Sequence, residues 1–192
     1  MAYNQIPDEI SKIVQSVLEG LQNHNEIPQG ILDNFLKSDV YSALLKHIDD
    51  TVSEEIDLHI LEEPPKDRLF EILMIRFDVL NTHRQAYQTV FYDILKDPAL
   101  LRRALPQFHR SMELMLRLAD LNGRDGTGVL PSGILPLRAS ALALVYLNAV
   151  RVWLFDDSPD MAATMAELDK GLSKIDHLAS KGVIQSILSR FG

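Results

Sequence analysis

Apolar residues recur at three- and four-residue spacing along almost the whole chain, and alternating Val/Ile/Thr runs bounded by tight-turn dipeptides are absent. That pattern predicts an all-α protein. The first helix is expected from Pro7 to His24, with Ile10, Ile13, Val14, Val17, Leu18 and Leu21 on one face. Pro28 opens a short helix through Ile31, Leu32, Phe35 and Leu36, and Ser38 or Asp39 caps another carrying Val40, Leu44, Leu45 and Ile48. Glu62-Glu63-Pro64-Pro65 is the clearest break, because a proline pair cannot continue a helix and forces the preceding residue to be extended. A boundary there divides the chain into an N-terminal three-helix domain, residues 1–63, and a larger helical domain, residues 64–192.

Beyond the prolines, Asp67–Thr82 is apolar nearly all round and reads as a central helix interrupted by Arg76 and Asp78. Arg84–Leu95 is the next helix, ending at Asp97-Pro98; another carries Leu100, Leu101 and Leu105, and a further one runs from Gln107 to Leu121. Asn122–Gly128 is a loop by composition. Two long helices follow, Ile134–Phe155 and Pro159–Ala179, the second capped by Ser158 with Pro159 as its first residue. The tail Ser180–Gly192 is amphipathic, suited to packing on its own domain or partner, or to a membrane interface.

With 192 residues, 46% of them hydrophobic, the chain can bury a core and even a small internal ligand cavity. The absence of cysteine excludes a disulfide scaffold, a thiolate zinc site and a cysteine nucleophile, and makes a reducing cytoplasm the natural compartment. No targeting segment or membrane span is expected, since Arg138, Asn148 and Arg151 break the longest apolar stretch. The net charge of −8 is uneven: up to Lys66 there are four lysines and no arginine against thirteen acidic residues, a balance of −9, so the rest carries +1. Duplex binding draws most of its affinity from Lys and Arg on phosphates, so this N-terminal segment is a poor autonomous DNA binder.

Arg151-Val152-Trp153-Leu154-Phe155-Asp156-Asp157-Ser158-Pro159-Asp160, followed by Thr164-Met165 and Leu168-Asp169, resembles the C-terminal motif of TetR-type regulators. Arg76-Phe77-Asp78-Val79-Leu80 with His83-Arg84 is similar to its partner motif in the central helix. The resemblance implies a bacterial homodimer with a small helix-turn-helix domain and a larger helical ligand and dimer domain. The same motif is also similar to TetR-fold accessory proteins of ubiquinone biosynthesis, which bind lipid and not DNA. Phe35, Lys37 and Leu44 resemble the residues that close a TetR recognition helix and open the next. Between Gln22 and Phe35, however, there are about a dozen residues where two helices and a turn must fit, so the reading helix is shortened or absent. DNA binding is expected to be weak, non-specific or absent, and no DNA-contacting residue can be assigned.

Arg76 and Asp78 fall in a helix expected to be buried, where a charge must be paired, and Asp156 or Asp157 is the expected partner of Arg76. Phe77, Phe108, Met112, Met115 and Tyr146 suit either ordinary core or the lining of a pocket for an apolar small molecule or lipid. The two last long helices are expected to form the dimer interface through Val150, Trp153, Met161, Met165 and Leu168. His24, His47, His59, His83, His109 and His177 are scattered, and Glu113, four after His109, lacks the second histidine of a zinc protease. An ion pair is the expected role of that couple. Gly123, Gly126 and Gly128 have neither a preceding strand nor a following Gly-Lys-Ser/Thr. The expectation is therefore a non-enzyme without metal or cofactor.

Overall fold

The computed structural model describes residues 5–120 and 135–180, and among them there are eight α-helices, one 3-10 turn and no strand. The helices are α1 (Gln5–His24), α2 (Gln29–Leu32), α3 (Lys37–Glu55), α4 (Pro65–Thr82), α5 (Arg84–Lys96), α6 (Pro98–Leu118), α7 (Leu135–Trp153) and α8 (Ala162–Ser180), with the 3-10 turn at Leu58–Glu62. The all-α expectation therefore holds. None of the described helices is long and apolar enough to cross a membrane. The Gly-rich segment from Asn122 to Gly128 and the tail from Lys181 onward lie outside the described residues.

The chain forms two compact units, Met1–Glu54 with Arg76–Phe108, and Glu55–Ile75 with His109–Gly192. This is not the division expected at the proline pair. Pro64 and Pro65 end the 3-10 turn and start α4, and the units part inside α4 and α6 instead. The physical reason is that a proline pair interrupts local helix propagation, whereas compact units follow the packing of apolar faces distant in sequence.

In the first unit α1 packs on α5. Val14, Val17, Leu18 and Leu21 are buried on α1, as are Ala86, Tyr87, Val90, Phe91 and Ile94 on α5. Polar contacts border this face: the Gln22 side-chain oxygen accepts from the Ala86 amide at 3.3 Å, and the Thr89 hydroxyl donates to Asn25 at 2.5 Å. Helix α1 stops because Asn25 turns left-handed, φ 56°, and the Glu26 amide bonds back to Gly20. A Cβ on Gly20 would stand 2.7 Å from the Glu26 carbonyl oxygen, so this return requires glycine. Helix α3 is longer than its expected short counterpart, nineteen residues, and buries Val40, Tyr41, Leu44, Leu45, Ile48 and Val52.

In the second unit α7 and α8 pack together. They meet closely at Gly171, where an added Cβ would come within 2.5 Å of a Val145 methyl carbon. Helix α8 begins at Ala162 rather than Pro159. Ser158 does act as a cap, its hydroxyl accepting from the Ala162 amide at 3.0 Å, but Pro159–Asp160 form a turn and Met161 takes a positive φ of 52°. The expected break between two helices near Pro106 is absent: α6 is continuous through it. Pro106 is exposed, so the carbonyl left without its amide partner faces the solvent side.

Candidate functional site

The five large side chains expected to be core or pocket lining are all interior. Phe77 and Phe108 lie in the first unit, at 0% and 1% exposure; Met112, Met115 and Tyr146 lie in the second, each at 0%. The Phe108 ring stands 6.0 Å from that of Phe91 in a tilted arrangement, which is packing of ordinary aromatic-pair geometry. In the second unit, Met112 and Met115 are joined on α6 by buried Ser111 and Leu116, and Tyr146 on α7 by Leu142, Ala149 and Val150. His109 ties the two helices, one ring nitrogen lying 3.1 Å from the Pro136 carbonyl oxygen. Its other nitrogen lies 3.6 Å from a Glu113 carboxylate oxygen, so the two residues of that couple do meet. The unit thus has an apolar, methionine-containing interior with a phenol and a hydroxyl in it.

Arg76 is fully buried, as expected of a charge in the central helix. Its guanidinium forms an ion pair with Asp49 of α3, and the other Asp49 oxygen accepts from the Gln107 amide of α6 at 3.2 Å. Asp49 was not foreseen as the partner. Its position carries a readable signal, since it lies four after Leu45 and three before Val52, on the apolar stripe of α3. Asp78 departs from expectation: it is exposed and forms no ion pair among the described residues. Partial desolvation holds its carboxyl above the usual carboxylate range.

Asp156 serves its own turn. One carboxylate oxygen accepts from the Ser158 hydroxyl and amide at 2.5 and 3.2 Å, the other from the Thr164 amide and hydroxyl at 2.8 and 2.7 Å. Burial alone raises its pKa, but these four donors outweigh it and hold the carboxyl well below the usual range. Asp157 beside it is exposed. A second unforeseen network joins α3 to α5: the Tyr41 hydroxyl donates to Asp93 at 2.5 Å and the Lys37 ammonium stands 2.6 Å from the same oxygen. Burial first, and then the hydrogen bond and charge of Asp93, push the Tyr41 phenol up.

The expected interface residues need correction. Val150, Trp153 and Leu168 are at 0% exposure and Met161 at 5% within a single chain, so they pack inside one subunit; only Met165, at 38%, is open. The apolar side chains left exposed along α7 and its end are Leu137, Leu144 and Phe155. The reason is periodicity: α7 is apolar on more than one face, and sequence spacing does not say which face the chain covers itself.

The segment between α1 and α3 contains only α2, four residues long with none buried. Helix α3, which follows, exposes Asp39, Asp50, Glu54 and Glu55 against Lys37 and Lys46, and Lys46 is itself paired with Asp50 at 2.6 Å. Among the described residues no group of three His, Cys, Asp or Glu side chains is arranged to hold a metal ion. No family model, curated protein or solved structure matches the chain.

Proposed function

We propose that this protein binds an apolar small molecule as a homodimer, on the plan of a TetR-like regulator or sensor but without a DNA-reading helix of its own. The observation that carries this reading is the connection from α1 to α3. A reading helix needs on the order of two or three turns to lay side chains into a major groove, and α2 supplies one. The acidic balance of the first 66 residues acts in the same direction. The ligand half of the reading is supported by the interior of the second unit, where Met112, Met115 and Tyr146 offer adaptable apolar surface and one phenol.

A second reading is favoured by the same one-turn α2: a lipid- or quinone-binding accessory protein of ubiquinone biosynthesis, for which DNA contact is irrelevant. In both readings the chain is a carrier or sensor and performs no bond-making chemistry.

Native mass spectrometry of the purified protein reads subunit count and retained small molecule together. A dimer carrying an apolar compound is the expected result, and Met112→Trp is expected to abolish retention while the dimer persists. Overpacking costs about 1–3 kcal/mol where the region is already full. A large loss of thermal stability with no effect on ligand retention therefore identifies a solid core and removes the pocket. Titration of DNA from upstream of the gene separates the two readings from an ordinary repressor: specific binding tighter than roughly 10⁻⁸ M at physiological salt defeats both.

A further inference from the structure

Within the first unit, α5 and the part of α6 up to Phe108 carry a surface unlike the rest of this acidic chain. From Arg84 to Phe108 there are four cations, Arg84, Lys96, Arg102 and Arg103, against Asp93 and Asp97, a balance of +2 in a molecule of net −8. Both acids are already engaged. Asp93 takes the Tyr41 hydroxyl and the Lys37 ammonium, and Asp97 accepts from the Ala99 and Leu100 amides of α6 at 2.8 and 3.4 Å. Among the described residues Lys96 and Arg102 have no counter-ion; the Lys96 ammonium lies 3.9 Å from the centre of the Tyr92 ring, and Arg102 is exposed.

Three large apolar side chains stand among these cations: Tyr92 and Leu95 on α5, 50% and 40% exposed, and Leu105 on α6, 48% exposed. One residue, Asp97, links the two helices, and they touch through Phe91 and Phe108, whose ring centres are 6.0 Å apart. Leu95 lies four after Phe91 and Leu105 three before Phe108, so each is on the side of its helix that meets the other. Being exposed where Phe91 and Phe108 are buried, they border the open side of that contact. Tyr92, three before Leu95, and Arg102, three before Leu105, extend the same faces. Tyr92, Leu95, Lys96, Arg102 and Leu105 all belong to one compact unit.

We propose that this face of α5 and α6 docks an acidic amphipathic helix of a partner protein. An apolar strip between two helices, rimmed by cations without a counter-ion, complements a helix with leucine-like anchors three and four residues apart and carboxylates beside them. The local sign, opposite to that of the whole chain, sets the charge of the partner and repels a basic helix. The degree of cover separates this surface from a bilayer contact. A membrane anchor is a projecting side chain, whereas Tyr92, Leu95 and Leu105 are each about half covered by the chain itself. Electrostatic seating on anionic lipid also takes clusters of about 4–8 Lys or Arg, more than this face holds. A phosphodiester backbone offers its leucines nothing. The inference goes beyond the proposed ligand binding and does not depend on it.

The test is fluorescence anisotropy of two labelled helical peptides of about 18 residues, five turns, titrated with the full chain. Both carry leucine at the same positions, spaced three and four apart; one has Glu and the other Lys on the flanking positions. Wild type is expected to bind the Glu peptide with a Kd of roughly 10 μM and the Lys peptide at least about tenfold more weakly. Lys96→Glu/Arg102→Glu is expected to invert that preference, a gain that misfolding does not produce. Leu95→Ser/Leu105→Ser is expected to weaken the Glu peptide by about tenfold or more, while Ile10→Ser, at a similarly exposed apolar residue of α1, leaves its binding unchanged. Circular dichroism confirms that each variant is folded. Wild type that binds neither peptide, or both equally, overturns the proposal. So does a charge-reversed variant that keeps the wild-type preference, a double serine variant that binds like wild type, or an Ile10→Ser variant that loses as much. Sedimentation with phosphatidylcholine vesicles containing about one third phosphatidylglycerol is run beside it. Binding to those vesicles without binding to the Glu peptide puts lipid in place of the protein partner and overturns the proposal as well. Small-molecule retention by the double serine variant is read separately in native mass spectrometry, so that failure of this contact and failure of the ligand reading give different results.

Discussion

Asp49 and Arg76 are both ionised groups taken almost wholly out of water, at 6% and 0% side-chain exposure. Their attraction offsets a desolvation cost of several kcal/mol per ion only while both are present, and Gln107 adds a hydrogen bond to the carboxylate. Removing one partner deprives the other of this buried counter-charge. Asp49→Leu or Arg76→Met alone is expected to cost about 3–5 kcal/mol, and the double variant much less than the sum, measured by urea unfolding as a double-mutant cycle. Additive losses would mean that the two residues do not act as a pair. Asp156 makes a second residue-level prediction. Its folded pKa lies below its unfolded one, so its contribution is present above about pH 4 and is lost as the pH falls towards the folded value. Asp156→Ala, which removes the acceptor of the Thr164 amide in the first turn of α8, is expected to cost about 1–2 kcal/mol at neutral pH. The melting temperature of the variant should therefore approach that of wild type below pH 4; a constant gap across pH would show that the carboxylate charge is not what stabilises the turn.

Between elements, the tightest constraint is the crossing of α7 and α8 at Gly171. Replacing a mid-helix glycine by alanine gains about 1 kcal/mol of helix propensity on an open surface. Here the new Cβ would stand 2.5 Å from Val145, a β-branched side chain with little rotamer freedom in a helix, so the helices must part. Gly171→Ala is expected to destabilise by about 1–3 kcal/mol, and Gly171→Ala/Val145→Ala to recover most of it in thermal unfolding. A stabilising single variant would mean that the helices separate freely. This contact illustrates what the sequence conceals. The bounds of α1, α5 and α7 follow from apolar periodicity and end signals such as His24 and Asp97, and are legible within a few residues. The continuity of α6 through Pro106 is not, because the cost of a helical proline depends on whether the freed carbonyl reaches water. The start of α8 is displaced because Ser158 caps from four residues upstream through a turn that Asp156 holds. That Arg76 is buried and paired follows from its helix, whereas its partner Asp49, 27 residues away, is a tertiary fact.

For the molecule as a whole, the same limit separates what the sequence says about association from what the structure leaves available. An interface must be built from surface that one chain leaves open, and Val150, Trp153, Met161 and Leu168 are already enclosed. Leu137 and Leu144 are seven residues apart on α7, which places them on one helix face, and they are 54% and 72% exposed. Met165 on α8, at 38%, is the remaining open apolar side chain of the expected interface. A stable dimer buries on the order of 1,200–2,000 Å² in total, which needs more than these three. Leu144→Glu puts a charge at the most exposed of them. If the proposed homodimer forms through α7 and α8, this variant is expected to be a monomer at micromolar concentration in light scattering, with its helical content unchanged. Val150→Ala supplies the contrast: it opens a cavity inside one subunit, so it is expected to lower thermal stability by about 1–3 kcal/mol without changing the mass. A wild-type monomer, or a Leu144→Glu dimer, would place the association elsewhere and remove α7 and α8 as its basis.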